Sequence, residues 1–125
     1  MSSGLEKQIV NILLRGASPT SWNSSGEAVD ATASAFRPAE GGRAHYITGI
    51  YACYTRVQSG ALRVFSGTSE IFVMRSHVTE PPYRFEYAFT SPFACGAGDT
   101  VSAFLSPGTG SNTGNVNLLG FTLKA

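Results

Sequence analysis

The sequence predicts an all-β protein: an antiparallel β-sandwich preceded by a short N-terminal helix or arm. Several short segments alternate between apolar and polar residues, which is typical of half-buried strands. Stretches rich in Gly, Ser and Pro separate these segments, as turns do. About seven strands can be counted along the 125 residues, at spacings typical of a sandwich or a barrel. A chain of this length is expected to form one domain.

Two segments alternate most clearly. Residues 29–35 alternate throughout, and residues 83–89 place four aromatic side chains on one face, with Glu86 on the other. A register shift of one residue would turn all four aromatics to water, so the pairing of this strand is strongly specified.

The other strand candidates are more continuously apolar. In an antiparallel protein this predicts strands that are covered on both faces, with one face toward the core and the other toward a neighbouring subunit. These candidates are residues 45–55, 62–65, 71–75, 101–105 and 116–123.

The N-terminal segment has a different pattern, which favours a helix over residues 4–15. Ser3 and Glu6 match the capping box that begins a helix, while Gly16 and Pro19 stand where a helix would end. The apolar residues at helical spacing are Leu5, Ile9, Ile12 and Leu13. A strand over residues 8–14, added to the edge of the sandwich, is the alternative.

Residues 17–26 are interpreted as a linker or a docked loop, so residues 1–27 form an arm and residues 28–125 the main domain. Trp22 is the only Trp in the chain. It is interpreted either as a plug for one end of the core, which is favoured, or as an interface anchor, since Trp is enriched at binding hot spots. The candidate partner-anchoring residues are therefore Leu5, Ile9, Ile12, Leu13 and Trp22.

Charge and hydropathy exclude several classes of function. Charged residues make up 14 % of the chain, against about 25 % in average proteins. So few charges fit a surface that is hidden against copies of the same chain or against a larger partner. The nine Lys and Arg residues are scattered and the net charge is +1, which argues against nucleic-acid binding. No run approaches the roughly 18 apolar residues of a membrane span, and the first residues lack the pattern of a signal peptide.

No catalytic, cofactor-binding or metal-binding residue is predicted, and the chain is not expected to be an enzyme. A zinc site built from Cys53, Cys95, His45 and His77 is formally possible, but their spacing does not favour one. Cys95 could act as a nucleophile beside either histidine, but its apolar surroundings favour a buried, inert thiol. Without a secretion signal, we expect Cys53 and Cys95 to be free thiols.

The remaining polar and aromatic residues have structural interpretations. Asp30 is assigned to a strand and Asp99 to an Asx turn before a strand. Aromatic side chains on a sandwich face can stack on sugars, although core or interface packing is the favoured role. The tyrosines considered for sugar stacking are Tyr46, Tyr51, Tyr54 and Tyr83.

Three segments follow one another in an order that known proteins share. Residues 45–50 (HYITGI) come after a Gly-containing lead-in at residues 39–43, residues 91–101 end in the step A-G-D-x-V, and residues 114–123 form a closing strand after a Gly-rich loop. Over about residues 28–123 this order resembles the small jelly-roll proteins of tailed bacteriophages. The ending also resembles the last strand of trimeric TNF/C1q-type jelly rolls.

The resemblance implies a sandwich of the jelly-roll type with no catalytic residues. Such phage proteins decorate or cement the capsid, or form short head fibres, and are commonly trimers. It therefore implies a structural virion protein, made in the host cytoplasm, that binds the major capsid protein on the outside of the capsid as a homotrimer. An N-terminal extension often makes the contact with the shell, which would give the apolar residues of the arm a role. A carbohydrate- or receptor-binding jelly-roll module, such as a fibre head, is the alternative.

Overall fold

The computed structural model describes residues 19–78 and 83–125. The predicted helix over residues 4–15, its alternative strand over residues 8–14 and the anchoring residues Leu5, Ile9, Ile12 and Leu13 lie outside the described residues. The side chain of His77 does so too.

Eight strands run through the described ranges. They are β1 (Thr20–Val29), β2 (Ala33–Arg37), β3 (Arg43–Tyr54), β4 (Gln58–Ser66), β5 (Ser69–Val78), β6 (Arg84–Ala94), β7 (Val101–Leu105) and β8 (Thr113–Lys124). They form two four-stranded sheets, β1-β8-β3-β6 and β2-β7-β4-β5, in which the recorded pairs are antiparallel. The predicted antiparallel β-sandwich is confirmed. Among these residues, no helix has the length and apolar character needed to cross a bilayer.

The order of the strands is that of a jelly roll. The first strand pairs with the last, β2 with β7, β3 with β6 and β4 with β5. The chain thus folds as one long antiparallel hairpin that is rolled up. The pairs β1–β8 and β3–β6 lie in the first sheet, and the pairs β2–β7 and β4–β5 lie in the second. Strands β1 and β2 form the two sheet edges at one margin of the sandwich, and β6 and β5 form the edges at the other.

The core lies between the two sheets and follows from the alternation within each strand. In β7, for example, Val101, Ala103 and Leu105 are fully buried while the residues between them are only partly covered. In β3 a bulge at Thr48 shifts the register, so that Ile47 and Ile50 both point inward and are fully buried.

The assignment of residues 17–26 to a linker differs from the structure. Thr20–Val29 is β1, paired along its whole length with β8. Only Trp22 among its inward positions is a large apolar residue, and Gly26 lies directly against the backbone of β2 at Ser34. Because β2 comes so close, the strand consists largely of small and hydroxylic residues. A linker has a similar composition, which is why the sequence suggested one.

The prediction of one strand over residues 29–35 is wrong. A turn at Asp30 separates β1 from β2, and Asp30 has a positive φ of 51°. Its carboxylate accepts hydrogen bonds from the backbone N–H groups of Ser111 and Asn112, at 3.0 and 2.9 Å. Asp30 is therefore a turn residue that holds the loop before β8, since Asp tolerates the left-handed region better than most residues.

Strand β6 leaves the ladder in its second half. Ala88 pairs with Gly49 and Phe93 with Ile47, so residues 89–92 of β6 stand opposite the single residue Thr48. One of these four residues is Pro92, which cannot donate a ladder hydrogen bond. This excursion of β6 is a large bulge on an edge strand.

Candidate assembly surfaces

Three phenylalanines lie on the outer face of the second sheet. Phe36 on β2 is 55 % exposed, and Phe65 on β4 and Phe104 on β7 are partly exposed. The rings of Phe65 and Phe104 meet edge to face with centroids 5.7 Å apart. The ladder register puts Phe36 and Phe65 on either side of Ser102, the residue that both strands face on β7. We call Phe36, Phe65 and Phe104 the phenylalanine patch.

The rim of the phenylalanine patch is polar. Arg63 stands opposite Phe104 in the ladder and forms a two-oxygen ion pair with Glu70, at 3.1 Å to each oxygen. Val73, 39 % exposed, extends the apolar surface beyond Arg63 toward the edge strand β5. An apolar centre with a charged rim is the usual composition of a protein interface.

A second group of aromatics closes the margin between β5 and β6. Phe72 contacts Tyr87 and Phe89, with ring centroids 5.1 and 5.8 Å apart, and Phe89 also contacts Phe93 at 5.9 Å. Tyr87 is 44 % exposed and Phe93 36 % exposed. We call Phe72, Tyr87, Phe89 and Phe93 the aromatic cluster.

The excursion of β6 builds the aromatic cluster. Tyr87 lies on the inward face of β6, opposite the buried Ile50, but at the margin this face is only partly covered by β5. The extra residues of the bulge bring Phe89 over Phe72 and Tyr87. The aromatics therefore fill the open margin and still present ring surface to the solvent.

The sugar-binding candidates are scattered. Tyr46 stacks on Phe121, its direct partner on β8, and Tyr51 is 37 % exposed on the same outer face of the first sheet. Tyr54 lies in the core, where its hydroxyl donates to the carbonyl of Ser106, and burial raises its pKa from 10.0 to about 12. Tyr83 packs against the core just before β6. The four tyrosines do not form one site.

Trp22 lies in the core at the β1 margin, with 8 % of its surface exposed. Its Nε1–H donates to Thr122 Oγ1 at 2.9 Å, and its ring meets the ring of His45 edge to face. Arg37 covers it from β2, with the guanidinium carbon 5.9 Å from the ring centroid. The structure thus places Trp22 as a plug at one end of the core.

The residues considered for a zinc site do not form one. His45 and Cys53 lie eight residues apart on β3, which is about 26 Å along a strand. The described part of the chain contains no group of three potential metal ligands. Cys53 and Cys95 are free thiols.

Cys95 lies close to His45 in the fold, but the contact is between backbones: Cys95 N–H donates to the carbonyl of His45. Both ring nitrogens of His45 are occupied by Thr122 and Pro38, at 2.7 Å each. The pKa of the Cys95 thiol is raised from 9.0 to about 11: burial is the main cause, a hydrogen bond with Ser66 lowers the pKa, and the negative charge of Asp99 raises it. His45 therefore cannot activate the thiol, which stays protonated at neutral pH.

Asp99 ties its loop to the β4–β5 hairpin. Its carboxylate accepts from Ser66 Oγ at 3.0 Å, and Ser66 Oγ accepts in turn from the N–H of Gly96. The backbone N–H of Asp99 donates to the carbonyl of Gly96 in a tight turn. Asp99 thus lies in a turn before β7, as expected, but its carboxylate accepts from Ser66 and the predicted Asx hydrogen bond to its own backbone is not among the recorded contacts.

Sequence reasoning missed Phe36 and the phenylalanine patch. In β2 the usual pattern of large apolar residues facing inward is reversed. The inward residues are Ala33 and Ala35, while the largest apolar side chain, Phe36, points outward. A large apolar residue that is out of phase with small inward-facing ones is the pattern that could have revealed this surface.

Comparison with known proteins adds little beyond the fold. No protein-family model matches the chain, and no curated protein matches it. Among solved structures, the protein is similar to a chain of the virus-like particle of extra small virus of the giant freshwater prawn Macrobrachium rosenbergii. That likeness has a TM-score of 0.32 and 10 % sequence identity, and covers 88 % of this chain and 80 % of that one. At these values it carries no argument about function.

Proposed function

We propose that the protein is a structural virion protein that binds the outside of a phage capsid as an oligomer and stabilises it, by decorating or cementing the shell. The observation that carries the proposal is the presence of ring surface outside the core at two separate places, the phenylalanine patch and the aromatic cluster. The chain combines these surfaces with an unusually low share of charged residues, 14 %.

The aromatic cluster is the proposed contact between copies. It lies at a margin where both sheets end, so copies arranged around a three-fold axis can each present the same margin to the next copy. Tyr and Phe contribute large apolar areas with few rotatable bonds, which makes them efficient at such contacts.

The anchoring residues of the N-terminal arm are the proposed contact with the major capsid protein. In a trimer the arm occurs three times, and binding of one arm raises the effective concentration of the other two near the shell. Modest contacts therefore add up to stable attachment, and each subunit links the capsid proteins beneath it. The sequence resemblance to phage decoration proteins supports the same assignment.

Sugar binding, as in a fibre head, is a second candidate. It is favoured by the outer face of the first sheet, where the exposed Tyr51 stands between Asn117 and Glu86 in the ladder. Amide and carboxylate groups beside an exposed ring can orient a sugar hydroxyl while the ring stacks on the sugar face. A glycan array that shows tight, selective binding, lost in Tyr51→Ala, would favour this function over cementing.

Oligomerisation is tested by size-exclusion chromatography with light scattering on the full chain. We expect a trimer at micromolar concentration, and a shift toward monomer in the double variant Tyr87→Ser/Phe93→Ser. The matched control is Val29→Ser/Val57→Ser, which removes two apolar side chains that are 60 % and 49 % exposed and lie outside the aromatic cluster. A clean monomer for the unmodified protein would overturn the proposed assembly.

Attachment is tested by sedimentation with virus particles, using Ile9→Ser/Ile12→Ser in the full chain. We expect the variant to stay in the supernatant, while the control Gln8→Ser/Asn11→Ser, which changes polar positions of the same segment, sediments with the particles. If the protein fails to sediment with any particle, or if the isoleucine variant sediments normally, the proposed anchoring is wrong.

A further inference from the structure

We propose that, in the free protein, the phenylalanine patch is the docking surface for the apolar stripe of the same chain's N-terminal segment. The stripe consists of Leu5, Ile9, Ile12 and Leu13. The inference goes beyond the proposed function, because it concerns the purified chain alone and holds whether or not a particle is bound.

The described chain begins beside the phenylalanine patch. Thr20 opens β1 at the sandwich margin formed by β1 and β2, and its hydroxyl accepts a hydrogen bond from Arg43. Two residues further on, Trp22 lies against Arg37, the last residue of β2. Phe36 is the neighbour of Arg37 in the chain and faces the opposite side of β2. The N-terminal segment therefore joins the sandwich at the end of β2 that carries the most exposed residue of the patch.

The length of chain before Thr20 suffices for the contact. Four residues, 16–19, lie between the predicted helix over residues 4–15 and β1, and the extended chain from residue 15 to Thr20 spans about 17 Å. To reach the outer face of the second sheet, the chain has to pass from the first sheet around the edge of β2. This path requires about 10 Å for the sheet spacing, plus the height of a side chain. The linker is thus long enough to place Leu13 over Phe36, and short enough to keep the stripe at high local concentration near the patch.

The chemistry of the two surfaces matches. Residues spaced by three and four along a helix lie on one face, so the stripe would present four aliphatic side chains in a row. The patch presents three rings in a triangle: Phe36 and Phe65 lie on either side of Ser102, and Phe104 lies two residues further along β7. Aliphatic groups packed on aromatic rings bury apolar surface on both partners, and on such a helix the polar residues Lys7 and Asn11 would lie on the opposite side.

This contact gives the stripe two competing uses. One row of four side chains cannot cover the phenylalanine patch and contact a second protein at the same time. A partner that takes the stripe must therefore remove it from the patch, which uncovers Phe36. Docking in the free protein keeps both apolar surfaces out of water until the partner is present.

The test is an NMR measurement on the full chain with its isoleucine methyl groups labelled. We expect nuclear Overhauser effects from the methyl groups of Ile9 and Ile12 to the ring protons of Phe36 or Phe104. In a sample that mixes labelled and unlabelled protein, filtered to show only contacts between different copies, these signals are expected to vanish. Their persistence in the filtered experiment would overturn docking within one chain and assign the patch to the arm of a neighbouring copy.

A substitution separates this contact from particle binding. Phe36→Ser is expected to move the methyl resonances of Ile9 and Ile12 to positions typical of an unstructured chain. The control Val29→Ser removes a side chain of similar exposure, 60 %, and should leave these resonances unchanged. Unchanged Trp22 fluorescence verifies that both variants are folded. Docking is refuted if the stripe shows no contact with the rings, or if Phe36→Ser leaves the resonances in place, whatever the outcome of the sedimentation assay.

Discussion

Thr122 lies in a buried chain of hydrogen bonds that also includes Trp22, His45 and Pro38. The chemistry of these groups shows which atom donates in each bond. The Trp22 Nε1–H can only donate, so Thr122 Oγ1 accepts from it. The carbonyl of Pro38 can only accept, so the His45 Nε2 that faces it carries a proton. With one proton assigned to Nε2, the neutral ring uses Nδ1 as an acceptor for the Thr122 hydroxyl. The Thr122 hydroxyl thus links Trp22 on β1 to His45 on β3.

Replacing Thr122 with Val tests this chain, because Val has nearly the same shape and lacks the hydroxyl. Thr122→Val leaves two buried groups without a partner, the N–H of Trp22 and Nδ1 of His45. Each unpaired buried group costs about 1–3 kcal/mol, so we expect a loss of about 2–5 kcal/mol in the free energy of unfolding. Thr122→Ser keeps the hydroxyl and loses one buried methyl group, which costs about 1 kcal/mol.

Urea unfolding followed by the fluorescence of Trp22, the single Trp of the chain, measures both variants. With a denaturant slope of about 1–3 kcal/mol per molar, Thr122→Val should lower the midpoint by about 1 M or more at an unchanged slope. A larger loss for Ser than for Val would show that the methyl contact, and not the hydroxyl, stabilises this end of the core. A loss below about 0.5 kcal/mol for Val would refute the hydrogen-bond chain altogether.

Two further predictions concern backbone packing and thiol chemistry. A Cβ at Gly26 would overlap the backbone oxygen of Ser34 on β2, so Gly26→Ala should lower the unfolding midpoint sharply or prevent folding. The control is Gly41→Ala, where the added Cβ has no atom within 4 Å, and this change should be close to neutral. Thermal unfolding of the two variants gives the comparison, and equal behaviour would contradict the close approach of β1 to β2. At pH 8 iodoacetamide should label the partly exposed Cys53 before Cys95, because the raised pKa of Cys95, about 11, keeps it in the thiol form. Labelling of Cys95 should speed up only as the pH rises toward that value. Mass spectrometry reports the order of labelling, and faster labelling of Cys95 than of Cys53 would contradict the burial of Cys95.

Much of the fold could be predicted from the sequence where the inward residues are large. Strand β3 (Arg43–Tyr54) was expected over residues 45–55, and the register of β6 was expected to place Phe85 and Tyr87 on one face, which it does. Strand β1 could not be recognised, because its inward positions after Trp22 are Ser24, Gly26 and Ala28. Side chains that small leave no apolar period, although the close approach of β2 requires them.

The assembly surfaces could be predicted only in outline. Continuous apolarity correctly indicated strands with apolar side chains on both faces, as in β7, where Phe104 points away from the buried Ala103 and Leu105. The aromatic cluster could not be located, since it depends on the bulge in which four residues of β6 stand opposite Thr48. Sequence alternation indicates which face a residue occupies, but not whether a second sheet extends far enough to cover that face.

The excursion of β6 also decides how copies of this chain can meet. A straight edge strand offers a row of free N–H and C=O groups that can template another strand, and growth of this kind continues without limit. Residues 89–92, with Pro92 among them, break that row over four of the 11 residues of the strand. Any association at this margin would therefore depend on side-chain contacts, because the broken row disfavours the continuous sheets that grow into fibrils.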